Sequence, residues 1–305
     1  MSENGDAPSF TSVMLGIAIR TNNPLKKILM TTHFTQFKSL HQQTAPLLLP
    51  NAWDAASAVL LQMDGAQAIA TSSAAMAWSL GYADGGALPR EELLGAVGRI
   101  MRVAKVPVTV DLEDGYSQDT AEVAQLALQM ANLGVVGINI EDGAGSVDSL
   151  SAKIAAIRQA LAAKPLYINA RTDVYLKGLA KNAQGENGVE AIALCAERLQ
   201  SYRAAGADGA FVPGMCIASD ASKLLALLGS GPDMPLNLMA APTLASIADL
   251  AAAGVRRISM GGSLFQTTYA YSRTVAQQFL AQSDVKGLFA HTLPYPMMNA
   301  AMQGK

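Results

Sequence analysis

From residue 47 onward the chain repeats one pattern: a short apolar segment, then a longer run rich in alanine and leucine. The apolar segments are "PLLLP" (46–50), "AIATS" (68–72), "VPVTVDLE" (106–113), "VGINIED" (136–142), "LYINARTD" (166–173), "GAFVPG" (209–214), "LNLMA" (236–240) and "RRISMG" (256–261). The runs between them read as helices. One starts at Asp54, and "PREELLGAVGRIMRVA" carries Pro at its first turn. The segments are apolar on both faces, as parallel strands covered by helices must be. A doubly wound α/β sheet would give a similar beat, but eight βα units point to a closed (β/α)8 barrel.

The barrel is expected over residues 31–282. An irregular extension precedes it (1–30), for which Met30 is an alternative start and a targeting segment the competing reading. A tail follows (283–305), packed on the barrel or on a partner. Half of the residues are hydrophobic and only 15% are charged, so the interior is large relative to the surface. A net charge of −2 gives no general electrostatic reason to bind nucleic acid or anionic lipid. No apolar stretch approaches the length of a membrane span. Cys195 and Cys216 read as reduced thiols of a cytoplasmic protein. No strand is followed by a glycine-rich dinucleotide or phosphate-binding motif.

Function in such a barrel sits at the C-terminal ends of the strands, and here those ends are polar. The second strand ends in Thr71, Ser72 and Ser73, and Asp84 lies in the long loop after it. The third ends in Asp111, Glu113 and Asp114, the fourth in Asn139, Glu141 and Asp142, and the fifth in Asn169, Arg171 and Asp173. Alternation puts Asp111 with Glu113 on one face, Asn139 with Glu141, and Asn169 with Arg171 and Asp173. Several carboxylates in one low-dielectric cleft repel one another unless a proton or cation intervenes. Oxygen ligands without Cys or His suit Mg²⁺, with Mn²⁺ the alternative. Arg171 could then bind a carboxylate or phosphonate substrate. The blander reading is a buried salt-bridge network of Asp111 and Glu113 with Arg171. Capping is the expectation for Asp114, Asp142 and Asp173, and Ser72 and Ser73 could form only a strand-end turn. His33, His41 and His291 lie outside the strand region, which disfavours a histidine base.

Together, "LPNAWDAASAVLLQMDGAQAIATSSAAMAWSLGYADG", "PVTVDLEDGY", "GVVGINIEDG", "YINARTDVYL" and "GADGAFVPG" resemble the isocitrate lyase/phosphoenolpyruvate mutase family. The resemblance spans roughly residues 45–265. It implies an α/β barrel whose final helix is exchanged between subunits, giving a homodimer or homotetramer. It also implies Mg²⁺-dependent chemistry on small keto or hydroxy acids through an enolpyruvate-like intermediate. By the family pattern Asp111 is the direct metal ligand, and Asp84, Glu113 and Glu141 hold the ion through its waters. Thr71, Ser72 and Ser73 cradle the substrate, Arg171 binds it, and Trp53 forms part of the pocket wall. The lyases of this family carry a Lys-Lys/Arg-Cys-Gly-His loop after the fourth strand, whereas here "EDG" runs into "AGSVDSLSAK". The expectation is therefore an enzyme that cleaves a C–C bond in a small 2-hydroxy or 2-keto dicarboxylic acid, with Glu113 and Arg171 as catalytic residues. Phosphonopyruvate hydrolysis or phosphoenolpyruvate mutation is the enzymatic alternative, and a non-enzymatic carboxylate-binding barrel is the other.

Overall fold

The computed structural model describes residues 24–229, 233–283 and 285–303. Most of the expected N-terminal extension lies outside the described residues. Its boundary at residue 30 falls inside a helix, α1 (Pro24–Leu40). The strands are β1 (Leu47–Leu49), β2 (Asn51–Ala52), β3 (Ile69–Thr71), β4 (Val108–Asp111), β5 (Gly137–Glu141), β6 (Tyr167–Arg171), β7 (Gly209–Phe211), β8 (Leu236–Met239) and β9 (Arg257–Ser259). All pair in parallel, in the order β1-β9-β8-β7-β6-β5-β4-β3-β2. β1 and β2 are two halves of one segment, divided at Pro50, which has no N–H for a ladder. The first half pairs with β9 and the second with β3. This segment closes the sheet, and the result is the expected (β/α)8 barrel.

The helices are α2 (Ala55–Met63), α3 (Ser73–Ser79), α4 (Arg90–Val103), α5 (Thr120–Leu133), α6 (Val147–Leu161), α7 (Val174–Lys177), α8 (Val189–Ala204), α9 (Ala218–Leu228), α10 (Ile247–Ala252), α11 (Ser263–Gln282) and α12 (Tyr295–Met302). Several of their starts follow from local chemistry. Asp54 and Ser57 form a capping box on α2, and Ser72, Asp119 and Ser146 cap α3, α5 and α6 through side-chain oxygens. Outward strand residues such as Val110, Ile138, Ile140, Ile168 and Leu238 are buried against the helices in the main core. The alternate residues, including Asn139 and Asn169, fill the barrel interior.

Helix α1 plugs the end of the barrel where the strands begin. Phe37 and Leu40 pack there with Leu47, Leu49, Ala68, Ala70, Val136 and Tyr167. His41 stacks on Tyr167, with ring centroids 4.8 Å apart. Its Nδ1–H donates to the Phe37 carbonyl at 2.7 Å. Burial, and then the charge of Arg257, lowers its pKa to about 3. His41 is thus a neutral part of the plug, at the end opposite the acidic strand ends.

The last barrel helix departs from the pattern. Of its twenty residues α11 buries only Phe265, while Tyr269, Tyr271, Phe279 and Leu280 are exposed. The barrel flank beside it is uncovered. Leu48 is 57% exposed, in a groove of about 470 Å³ lined by Leu48, Leu61, Ile258, Met260 and Leu264. In the tail, α12 turns back against α2, with Ala301 buried and Tyr295 exposed.

Candidate active site

Asp111 is the last residue of β4 and is 9% exposed. Its backbone N–H donates to Thr71 Oγ1 at 3.0 Å. Its Oδ2 accepts from the Ser73 N–H at 3.3 Å, and its Oδ1 has no hydrogen-bond partner among the described residues. The residues at the end of β3 and the start of α3 therefore frame Asp111: Thr71 fixes its backbone and Ser73 one carboxylate oxygen. Ser72 caps α3 through Oγ, accepting from Ala75 N at 3.3 Å. Asn51 ties this corner together. Its Nδ2 donates to the Thr71 carbonyl (2.7 Å), and its Oδ1 accepts from Met260 and Gly261 N–H (2.9 and 3.0 Å).

Glu113 reaches the cleft differently from the alternation argument. It lies past the end of β4 with φ 47°, and Tyr116 follows with φ 59°. Left-handed backbone is strained for both residue types. Gly115 closes the turn, its N–H donating to the Leu112 carbonyl at 2.7 Å. A Cβ on Gly115 would lie 2.7 Å from Val123. Tyr116 OH donates to Glu113 Oε1 at 2.7 Å. Burial raises the Glu113 pKa, the Tyr116 hydrogen bond lowers it, and the charges of Asp111 and Asp84 raise it again. Asp84 itself is exposed in the loop over the site, two residues before Gly86, whose N–H bonds Glu113.

Glu141 ends β5 in register with Arg171 of β6. Arg171 Nη1 lies 2.6 Å from Glu141 Oε2, and its other edge grips Asp173 at 2.7 and 3.1 Å. Its guanidinium also lies over the Phe211 ring. Burial raises the Glu141 pKa against the pull of Arg171, with Asp111, Asp173 and Glu113 adding to the rise. Arg171 is thus paired with Glu141 and Asp173, while Asp111 and Glu113 have no Lys or Arg within ion-pair distance among the described residues.

The remaining strand-end acids have partners within the protein. Asp114 accepts from Tyr116 N–H and Gln118 and lies 3.6 Å from Lys153 Nζ, which also bonds the Asp114 carbonyl at 2.7 Å. Asp142, fully buried, accepts from Asp173 N–H, Arg198 and Tyr202. Sequence reasoning placed Lys153 only in a helix and did not single out Asn51, Tyr116, Arg198 or Tyr202. Their signals are single polar residues in strand, helical or turn contexts, which carry no spacing pattern. Trp53 stands at the rim, edge-on to Phe265 at 5.3 Å, and Phe265 also contacts Trp78 and stacks on Tyr269.

Among the described residues no three His, Cys, Asp or Glu side chains are already gathered around one point. The residues nonetheless fit a divalent cation. Asp111 Oδ1 is a buried carboxylate oxygen with no partner, neighbouring carboxyls are raised partly by each other's charge, and every donor is a hard oxygen.

Barrel and cleft together define an α/β-barrel protein with an oxygen-lined acidic site at the strand ends. Residues 37–280 match the family model described as phosphoenolpyruvate phosphomutase, and the chain belongs to this family, within the isocitrate lyase/phosphoenolpyruvate mutase superfamily of lyases and mutases acting on small carboxylic acids. An uncharacterized protein of Mycobacterium tuberculosis is 36% identical over 229 residues, covering 74% of this chain and 81% of the relative. The 2-methylisocitrate lyase of Escherichia coli is 30% identical over 189 residues, 57% of this chain and 60% of that enzyme. Among solved structures, a candidate phosphonomutase from Burkholderia cenocepacia J2315 has a TM-score of 0.74 at 36% identity, covering 81% of this chain and 98% of that one. A candidate lyase/mutase from the same organism has a TM-score of 0.79 at 29% identity, covering 90% and 96%. No helix among the described residues is long and apolar enough to cross a membrane.

Proposed function

We propose that the chain is a Mg²⁺-dependent lyase, with Mn²⁺ able to substitute, that cleaves a C–C bond in a small 2-hydroxy or 2-keto dicarboxylic acid. The observation that carries this reading is Asp111: a buried carboxylate with one free oxygen and no cationic partner, beside two carboxyls whose protons are held by burial and mutual repulsion. Asp111 would hold the ion directly, with Asp84, Glu113 and Glu141 holding its waters. When bound, the ion would act as a Lewis acid that stabilises negative charge on the substrate oxygens.

The chain's own residues supply the rest. Arg171, anchored by Glu141 and Asp173, presents a fixed cation to the substrate carboxylate. Thr71, Ser72 and Ser73 bring backbone N–H groups to the same end, and Trp53 walls the mouth. Glu113 exchanges the proton, since a raised carboxyl suits acid–base work near neutrality. For a 2-hydroxy acid it takes the hydroxyl proton. The C2–C3 bond then breaks toward C3, which is protonated, leaving a keto acid. For a 2-keto acid the bond from C3 to its departing carboxylate breaks, and the electron pair remains in an enolate that is then protonated at C3. The loop between β5 and α6 (142–146) supplies no Cys or His, so the reading excludes a cysteine acid from that loop.

The family model and the candidate phosphonomutase favour a second reading, P–C bond chemistry on phosphonopyruvate or phosphoenolpyruvate. One experiment separates them. Oxaloacetate, substituted malates and phosphonopyruvate are incubated with the protein, with and without Mg²⁺ or Mn²⁺, and products are followed by mass spectrometry. Metal-dependent release of a keto acid without phosphate supports the lyase. Phosphate from phosphonopyruvate supports the hydrolase, and phosphoenolpyruvate formed from it supports the mutase. Metal-independent turnover removes the centre of the scheme, and no turnover of any compound favours a carboxylate-binding barrel without catalysis.

The same reading includes assembly as a homodimer or homotetramer by exchange of α11. An amphipathic helix that buries one residue, beside a barrel flank with Leu48 exposed, supports a partner helix in the 470 Å³ groove. Light scattering that finds only monomer across a broad concentration range would count against it. With no membrane-spanning helix described and a small-molecule site, we propose a cytoplasmic location without a nucleic-acid or membrane partner; cell fractionation tests it.

A further inference from the structure

The barrel interior beneath the acids is polar, although such interiors are ordinarily filled by branched aliphatic side chains. Asn139, Asn169, Asn237, Ser259 and Arg257 are all buried there. Arg257 begins β9 and Asn139 lies in β5, four strands away in the eight-stranded ring, so the two stand on opposite walls. Arg257 Nη2 nevertheless donates to Asn139 Oδ1 at 3.1 Å. The guanidinium therefore spans the interior as a crossbar. The same oxygen accepts from Asn169 Nδ2 at 2.9 Å. A guanidinium only donates, so the oxygen end of the Asn139 amide is fixed toward it. Asn139 is the register partner of Asp111.

Arg257 is 1% exposed and has no carboxylate within ion-pair distance among the described residues. Its Nε and Nη1 lack hydrogen-bond partners among the described residues, and the ring of Phe37 lies 5.9 Å away. Burying an unpaired cation is unfavourable unless nearby negative charge offsets it. Asp111 supplies part of that charge: burial lowers the Arg257 pKa to about 10, and Tyr167 and then Asp111 oppose the fall.

We propose that Arg257 is a positioning residue that holds a fixed positive charge beneath the Asp111–Glu113–Glu141 cleft, favouring a bound substrate dianion, weakening the hold on the cation, and setting the Asn139 amide beside Asp111. This rests on the reading of the cleft as a divalent-cation and carboxylate site. The two ligands respond to the charge with opposite sign, which a purely structural role does not produce. At an effective dielectric of about 20, one unit charge acting on another across roughly 10 Å changes affinity about fifteenfold, and a ligand of two charges doubles that free energy.

Calorimetric titration of the full chain tests this, first with MnCl₂ and then with oxalate on the Mn²⁺-saturated protein. Arg257→Gln keeps a donor for Asn139 but removes the charge; Arg257→Lys keeps the charge but not the planar fork. For Arg257→Gln the expected result is Mn²⁺ affinity equal to or above wild type, with oxalate affinity at least about tenfold lower. Arg257→Lys should retain oxalate affinity within about threefold. Parallel loss of both ligands in a folded Arg257→Gln variant, or no change in either, overturns the proposal. Should Arg257→Gln fail to fold, Arg257→Lys decides: retained oxalate affinity supports the charge role, and a tenfold loss with Mn²⁺ binding intact overturns it. Wild-type protein that binds neither Mn²⁺ nor oxalate overturns the reading of the cleft, and this inference with it.

Discussion

Asp111→Asn separates metal binding from folding because the two respond differently to one lost charge. In the metal-free protein the substitution relieves repulsion that helps to raise Glu113 and Glu141. It also puts an amide in place of the partnerless Oδ1. These effects oppose each other at about 1–3 kcal/mol each, so metal-free stability should stay within about 1–2 kcal/mol of wild type. The metal-bound state has no such compensation. At a metal concentration of about 100 Kd, wild type gains about 2.7 kcal/mol, roughly 5 °C in a chain of this size. A hundredfold loss of affinity leaves about 0.4 kcal/mol at the same concentration, under roughly 2 °C. Thermal melts with and without MnCl₂ measure both quantities on one sample. Asp114→Asn is the control. Its carboxylate is 44% exposed, and Lys153 keeps its bond to the Asp114 carbonyl, so the metal-dependent shift should survive. A full metal shift in Asp111→Asn, or its unfolding without metal, refutes the assignment of Asp111 as the anchor. Equal loss in both variants shows that the two acids were divided incorrectly.

Tyr116→Phe removes the hydrogen bond that lowers the Glu113 pKa; the pH–rate limb governed by Glu113 should move to higher pH, and an unmoved limb separates Glu113 from proton transfer. His41 takes a proton below about 6.5 when unfolded but not until about 3 when folded, so the unfolded chain binds more protons in that window and stability falls as pH falls through it. His41→Leu should flatten that fall by up to about 4–5 kcal/mol in denaturant titrations between pH 7 and pH 3, and an unchanged slope would show that His41 protonates freely in the fold. Leu48→Asp should abolish self-association in light scattering while changing the stability of the dissociated chain by about 0.5 kcal/mol or less; retained oligomers would place the interface elsewhere.

The strands were legible because burial on both faces leaves an apolar signature, and the start of α2 because Asp54 caps it by local geometry. Asp111 and Glu141 were placed at strand ends by the same pattern. Glu113 was named by position, but the alternation argument fails for it: β4 ends at Asp111, and the turn through Leu112–Tyr116 delivers Glu113 with a positive φ. Nothing in periodicity signals such a turn except Gly115. Arg257 and Asn51 were illegible for another reason. Each acts across the barrel or between strands distant in sequence, Arg257 with Asn139 over 118 positions, and a contact of that kind leaves no local pattern.

What sorts the acids is the company each keeps. Asp114 has Lys153, Asp142 has Arg198 with Tyr202, and Asp173 has Arg171. Each of these carboxylates has its charge answered by a side chain on a neighbouring element, so each fastens a loop to a helix or strand. Glu141 shares Arg171 with Asp173, and the guanidinium is thereby fixed from two sides at the mouth of the cleft. Asp111 and Glu113 have no such cation at hand, although Arg257 lies below and Arg171 beside them. A fold can keep buried carboxylates in this condition only if their charge is answered some other way. Glu113 answers part of it by holding a proton more tightly and by accepting from Tyr116. Asp111 keeps a buried oxygen that has no hydrogen-bond partner among the described residues. If the chain had been shaped only for stability, an Asn at 111 would keep the Ser73 contact without the buried charge. The carboxylate has a physical rationale if a cation completes its coordination, and the metal-dependent melting shift of Asp111→Asn is the measurement on which that rationale stands.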